Sequence, residues 1–158
     1  MRIGIISDTH RFTAAIDKAI PLLQDCDLIV HAGDNIDDSE YIEAMTDIPV
    51  VAVKGNCDFY STPGKDEEIF MAEDKRIFVC HGHNYGIKYT FIDLLERASG
   101  LDADIVIFGH SHVPCYEEIE GVIFINPGSP SLPRGGSKKG IGILDIENGE
   151  IIYERIKI

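Results

Sequence analysis

The amino-acid sequence predicts an α/β fold, and three observations lead to it. Short aliphatic and β-branched runs at 3–7, 27–31 and 49–54 alternate with stretches of helical spacing, the pattern of βαβ units around a parallel sheet. Beyond residue 115 the runs pair across short turns instead, which adds antiparallel strands. Five strand ends carry Asp, Asn or His, and a parallel sheet gathers such loops on one rim.

The first run, Ile3-Gly4-Ile5-Ile6-Ser7, delivers Asp8-Thr9-His10. Strand alternation would point Asp8 and His10 the same way, so that a carboxylate and an imidazole face one point. That pair begins a site for a borderline divalent metal. From Arg11 to Leu23, apolar residues recur near helical spacing (Phe12, Ala15, Ile16, Ala19, Ile20, Leu23), with Pro21 near the end of this amphipathic helix. Asp27 to His31 forms a second strand that ends in Ala32-Gly33-Asp34-Asn35, and His31, inside the apolar run, reads as a buried, hydrogen-bonded histidine rather than a ligand. A helix follows at about 37–46. The third strand, 49–54, leads into Gly55-Asn56-Cys57-Asp58.

A polar loop, Tyr60 to Asp66 with Pro63-Gly64 as its turn, precedes a hairpin of 68–71 with 76–80, turning at Glu73-Asp74-Lys75. Its second strand runs into His81-Gly82-His83. A helix at about 88–98 has Gly100 as its stop signal. The strand 103–108 then delivers Gly109-His110-Ser111-His112, where two imidazoles at i and i+2 make a compact two-pronged ligand set. Strands 115–119 and 122–125 pair across Glu120-Gly121, and 140–146 pairs with 150–157 across Asn148-Gly149. Between them lie a rigid turn, Asn126 to Pro130, and a flexible one, Arg134 to Ser137. Without an internal repeat, low-complexity tract or linker, residues 1–158 read as a single domain.

Composition limits the function classes. Lys and Arg total 14 against 27 Asp and Glu, a net charge of −13, which disfavours polymeric nucleic acid and anionic membranes as partners. The chain opens directly on a strand and has no apolar run near the roughly 18 residues of a membrane helix, so neither a signal peptide nor a membrane span is expected. Cys26, Cys57, Cys80 and Cys115 form no Cys-x-x-Cys pair, which favours reduced thiols and a cytoplasmic setting over a disulfide frame or thiolate zinc site.

Each polar residue at a strand end has a plain reading as a cap or turn residue. Agreement at five ends does not. Asp8, His10, Asp34, Asn56, His81, His110 and His112 offer seven oxygen and nitrogen donors without sulfur, too many for one tetrahedral ion and suited to two ions sharing a bridging carboxylate. Two carboxylates against two divalent ions leave a local excess of about two positive charges, enough to hold a hydroxide and a phosphate anion in an acidic protein.

The ordered series Asp8-x-His10, Gly33-Asp34, Gly55-Asn56-x-Asp58, His81-Gly82 and Gly109-His110-x-His112 resembles the calcineurin-like metallophosphoesterase superfamily, and its small single-domain prokaryotic phosphodiesterase branch in particular. The resemblance implies a four-layer α/β/β/α sandwich of two mixed β-sheets. It implies one metal held by Asp8, His10, Asp34 and His112 and another held by Asp34, Asn56, His81 and His110, with Asp34 bridging. It also implies hydrolysis of a small phosphoester by a metal-bound hydroxide, with manganese or nickel as the ions and iron, zinc or cobalt as alternatives. Cys57 departs from the pattern, since many members carry a histidine there that is thought to protonate the leaving group. Asp58 is read as orienting a ligand or the loop, and Arg11 and His83 as touching substrate oxygens. The alternatives are a phosphomonoesterase, and a non-catalytic scaffold of the retromer-subunit type; a homo-oligomer is left open.

Overall fold

The computed structural model describes residues 1–59 and 62–158. Its elements run β1 (Arg2–Ile6), α1 (Thr13–Leu23), β2 (Leu28–His31), α2 (Asp38–Thr46), β3 (Val50–Ala52), β4 (Glu67–Ala72) and β5 (Lys75–Cys80). Then come α3 (Ile92–Gly100), β6 (Ile105–Ile107), β7 (Cys115–Ile119), β8 (Val122–Asn126), β9 (Gly140–Glu147) and β10 (Glu150–Lys157). Two five-stranded sheets result, in the orders β10-β9-β1-β2-β3 and β4-β5-β6-β8-β7. Both are mixed. In the first, β1, β2 and β3 are parallel while β9 runs against β1 and β10 against β9. In the second, β5, β6 and β8 are parallel and β4 and β7 are antiparallel edges.

Three apolar clusters define four layers. Ile3, Ile5, Val30, Ile77, Val79, Ile107, Ile125 and Leu144 meet between the sheets. The alternate residues Ile6, Ile29, Ile141 and Ile143 turn outward onto Ile16, Ala19 and Leu23 of α1 and Ile42 of α2. On the far side, Phe78, Val106, Phe108 and Phe124 pack under Leu94 and Ala98 of α3. Period-two strands buried on both faces read as unbroken apolar runs, which is why the sequence shows runs rather than alternation here. The fold is the α/β/β/α sandwich that the resemblance implied.

Local differences have local causes. The first helix begins at Thr13, not Arg11, because Arg11 sits at φ +60°, outside the helical region. Pro21 lies inside it, and the helix continues to Leu23. The third helix begins at Ile92 rather than 88: the segment before it is a turn, and Phe91 is drawn into contact with Phe108 and Phe124, both 5.5 Å away between ring centroids. Gly100 is that helix's last residue rather than the residue beyond it. The hairpin before it turns on Glu73-Asp74 alone, since Lys75 already pairs with Ala72. Asn148-Gly149 and Glu120-Gly121 both take the paired positive φ of tight hairpins. Of the expected polar loop, Tyr60 and Ser61 lie outside the described residues, and Thr62–Gly64 form a bend.

Candidate metal centre

The rim of the two sheets is shaped by unusual backbone. Asp8, His10, Asp34, His110 and His112 all have φ between +52° and +65°. Asp, Asn and His tolerate this region better than other side chains, yet each such residue costs on the order of 1 kcal/mol or more. Asp8 and His10 therefore do not meet through strand alternation, as the sequence suggested: β1 ends at Ile6, and a left-handed turn aims both. Two glycines serve close approach. A Cβ at Gly55 would collide with Asp34 Oδ1, and one at Gly109 with Ser7 Oγ, which itself donates to Asp8 Oδ2 at 2.8 Å.

Asp8, His10, Asp34 and His112 each place one donor atom within 4.8 Å of all the others. His10 Nε2 lies 3.2 Å from His112 Nε2 and 3.5 Å from Asp34 Oδ2, and His112 Nε2 lies 3.3 Å from Asp8 Oδ1. Ring nitrogens this near each other and near two carboxylates suit a cation among them. His112 Nδ1 donates to the Leu132 carbonyl at 2.6 Å and His81 Nδ1 to the Ala32 carbonyl at 2.8 Å. These bonds assign the tautomer and leave each Nε2 to face the cluster as a lone-pair donor. His81 Nε2 is buried, lies 3.2 Å from Asp34 Oδ1 and has no hydrogen bond among the described residues, as a ligand atom would.

The remaining expected ligands stand on the open side. His110 is half-buried, with its ring 5.2 Å from that of His81, and its backbone N–H donates to Asp8 Oδ1 at 3.2 Å. Asn56 is exposed and its amide contacts the sulfur of Cys57 at 3.5 Å. Cys57 meets Asp34 through its backbone, the N–H donating to Oδ1 at 2.9 Å. Asp58 accepts from Ile36 N–H at 2.9 Å and Gly55 N–H at 2.7 Å, so its carboxylate ties the 55–58 loop to the loop after Asp34. Arg11 points towards Asp37 at 3.9 Å and is exposed. His83 turns its ring towards His81 and His110, at 5.4 and 6.1 Å, with Nδ1 buried and without a hydrogen-bond partner among the described residues.

Residues that the sequence reading passed over hold this arrangement. Ser129 and Ser131 both donate to the Asp8 carbonyl, at 2.8 and 2.9 Å, and Asn126 donates to the Gly109 carbonyl at 2.7 Å. The turn at 126–132 is thus a brace beneath three ligands. On the other side, Gly33 N–H donates to His31 Nδ1, whose Nε2 meets Thr9 Oγ1 at 2.9 Å, and Thr9 donates to Asp38 at 2.6 Å. His31 is the buried, satisfied histidine that its apolar run predicts.

Burial raises the Asp8 carboxyl against the pull of His81 and His112. For Asp34, burial pushes up, but the His81 ring and the Cys57 N–H outweigh it and hold the carboxyl well below its usual range. Burial would lower His81, yet Asp34 and Asp8 beside it raise it. Burial, then the neighbouring His81, depress His83 and take His110 down to about 4. The Cys57 thiol is pushed up to about 11 by desolvation and by the Asp34 carboxylate.

A buried oxygen and nitrogen donor set of this kind suits hydrolysis assisted by a divalent metal. Residues 1–149 match the calcineurin-like phosphoesterase superfamily domain. Probable metallophosphoesterase YsnB of Bacillus subtilis (strain 168) is 38% identical over 149 residues, covering 94% of this chain and 86% of the relative. Phosphodiesterase MJ0936 of Methanocaldococcus jannaschii is 33% identical over 172 residues, covering 95% of this chain and 96% of the relative. Wild-type Vps29 complexed with zinc, from Entamoeba histolytica, shares the fold with a TM-score of 0.77 at 22% identity, over 99% of this chain and 98% of that one. The chain belongs to the calcineurin-like phosphoesterase superfamily, and it is a metal-dependent hydrolase of phosphoric esters.

Proposed function

We propose that the protein hydrolyses small phosphodiesters at a centre for two divalent metals. The observation that carries this reading is the double aspect of Asp34, whose Oδ2 lies 3.5 Å from His10 and whose Oδ1 lies 3.2 Å from His81. A carboxylate so placed serves two ions at once. Asp8, His10, Asp34 and His112 would hold one, and Asp34, Asn56, His81 and His110 the other. When bound, such a pair supplies Lewis acidity, activating water and neutralising charge on the phosphoryl oxygens.

The chain's own residues prepare that chemistry. Asp34 is kept ionised, His81 and His112 are kept with Nε2 forward, and the carbonyl bonds behind them fix ring orientation before any ligand arrives. Donors free of thiolate fit manganese or nickel, with iron, zinc or cobalt as alternatives. The local positive excess would draw a small phosphate anion to a chain of charge −13, while the surrounding acidity opposes a polynucleotide. Four free cysteines suit a cytoplasmic setting, and no helix among the described residues is long and apolar enough to cross a membrane. All seven ligand-type residues are present in a chain that we read as one domain over residues 1–158, which favours an enzyme over a binding scaffold.

The test is metal analysis of the purified protein, then an assay on bis-(p-nitrophenyl) phosphate after loading with each of the five metals. Turnover that vanishes on chelation and returns with metal is expected. Failure to hydrolyse with every metal, at verified occupancy, would overturn the reading and favour the scaffold.

A further inference from the structure

Beside the metal centre lies a pocket of about 480 Å³ that the proposed chemistry does not use. Its floor is aromatic and aliphatic: Phe91, Phe108 and Ile87 line it, with Val113 at its wall. Phe91 is held in place, edge-on to Phe108 at 73° and stacked on Phe124 at 10°, so its ring is a preformed platform. The pocket adjoins the ligands directly. Ser111, the residue between His110 and His112, forms part of its lining, and Arg134, which also lines it, donates its backbone N–H to the His112 carbonyl at 3.1 Å.

Two cations flank that end, Lys88 and Arg134. Arg2, Lys65 and Arg97 are each paired with a carboxylate within 2.9 Å, whereas Lys88 and Arg134 have no ion pair among the described residues. Both are exposed, and in a chain of net charge −13 they make a local positive mouth. Cys115 and Glu117 follow one another along β7, away from the ligand loop, and give the far end polar partners. An anion belongs at the mouth, a flat apolar group on the floor and a hydrogen-bonding edge beyond it.

We infer that this pocket receives an aromatic ester substituent of the phosphodiester, with Lys88 and Arg134 flanking the phosphate; the inference rests on the phosphodiesterase reading above. Its volume lies in the range of small-molecule sites and accommodates one or two fused rings. Burying such a group selects for it over a methyl ester by roughly tenfold or more.

Two measurements test the pocket, one of them independent of turnover. The first is kcat/KM of the metal-loaded protein for p-nitrophenyl diesters that share a leaving group but carry methyl, phenyl or naphthyl as the second substituent. A rise of about tenfold along the series is expected. Val113→Trp, which fills the wall, should flatten it, and Lys88→Ala, which removes a cation beside the shared phosphate, should raise KM about three- to tenfold across the whole series, metal content being checked in both. The second is the alkylation rate of Cys115, followed by peptide mass spectrometry. Methyl phenylphosphonate should slow it at least threefold, and methyl methylphosphonate should not. Equal hydrolysis along the series without Cys115 protection would overturn the pocket and leave the phosphodiesterase reading standing. Protection by the aryl phosphonate with no hydrolysis of any diester would keep the pocket and sink the activity. Neither hydrolysis nor protection would overturn both.

Discussion

The two halves of the candidate centre differ in how far the protein has arranged them. Asp8, Asp34 and His112 are buried and converge with His10 within 4.8 Å; Asp8 is held from behind by Ser129 and Ser131, His112 by the Leu132 carbonyl and Asp34 by the Cys57 N–H. On the other half only His81 is comparably fixed, while Asn56 is exposed and His110 half-buried. Preorganisation is thus uneven: one half stands assembled, and the other has a fixed histidine and two more exposed donors. In the two-metal reading proposed above, Asp34 belongs to both.

Asp34→Ala tests that shared role and should have the largest effect. Losing a ligand from both sites should abolish binding of both ions and lower kcat/KM on the order of 10³-fold or more, read by metal analysis and diester turnover. Asn56→Ala should be milder, near the 10–100-fold typical of a single supporting group, with the braced half still loaded. Full metal content in Asp34→Ala, or loss of both ions in Asn56→Ala, would break the comparison.

The brace is the next target. Asn126→Ala removes the side-chain donor to the Gly109 carbonyl, which keeps the Ser111 N–H, and leaves the buried Gly128 N–H without its acceptor, at a cost of about 1–3 kcal/mol. Because that carbonyl sits just before His110 and His112, metal affinity should fall about 10–100-fold as well. Unchanged affinity in a folded variant would show that the turn at 126–132 holds the fold but not the ligands.

Metal should also stabilise the fold, since only the native state presents these donors together. At about 100-fold excess over Kd the gain is near 2.7 kcal/mol, or about 5–10 °C in a chain of this length. Calorimetry before and after chelation measures it. Identical melting, with metal removal verified, would argue against a preassembled half.

A smaller effect comes from His31, which links the β2 end to Thr9 between two ligands. Burial lowers its pKa to about 4 from the ordinary value near 6.5, so the folded state refuses a proton that the unfolded chain accepts. Its contribution is complete above about pH 6.5 and is lost as pH falls towards 4, amounting to at most about 3 kcal/mol. Urea midpoints of wild type and His31→Gln, compared from pH 7.5 to 4.5, should converge on the acid side. Parallel curves would remove His31 as the source.

Much of this was legible in the sequence because it is written locally. The strands are continuous aliphatic runs, Asn148-Gly149 fixes a hairpin by itself, and ligand-type residues recur at strand ends where a parallel sheet must gather them. The brace was not legible. Ser129 and Ser131 act on a carbonyl 121 and 123 positions earlier, and nothing in Asn126 to Pro130 as a string separates a load on Gly109 from an ordinary turn. The left-handed turns at Asp8 and His10 escaped for a related reason: period-two reasoning describes strands, and β1 stops two residues before Asp8.

The smallest expected effect is at Cys57, the one departure from the family's pattern. What this position gives the centre is its backbone N–H to Asp34, which any residue but proline supplies. The thiol is exposed and, without metal, held protonated by a pKa raised to about 11. Beside bound cations it would tend towards thiolate, which cannot donate a proton. The leaving oxygen must then depart with much of its charge or be protonated by water, so kcat/KM should depend steeply on leaving-group pKa. Cys57→Ala, an exposed change, should keep aryl-ester activity within about two- to threefold. Cys57→His should improve poor leaving groups by up to about 10²-fold if its ring reaches them. The measurement is a linear free-energy plot over a series of diesters for wild type and both variants. A shallow slope in the wild type that Cys57→Ala makes steep would identify the thiol as the proton donor, and would move the open half of the centre from a passive set of ligands to the seat of acid catalysis.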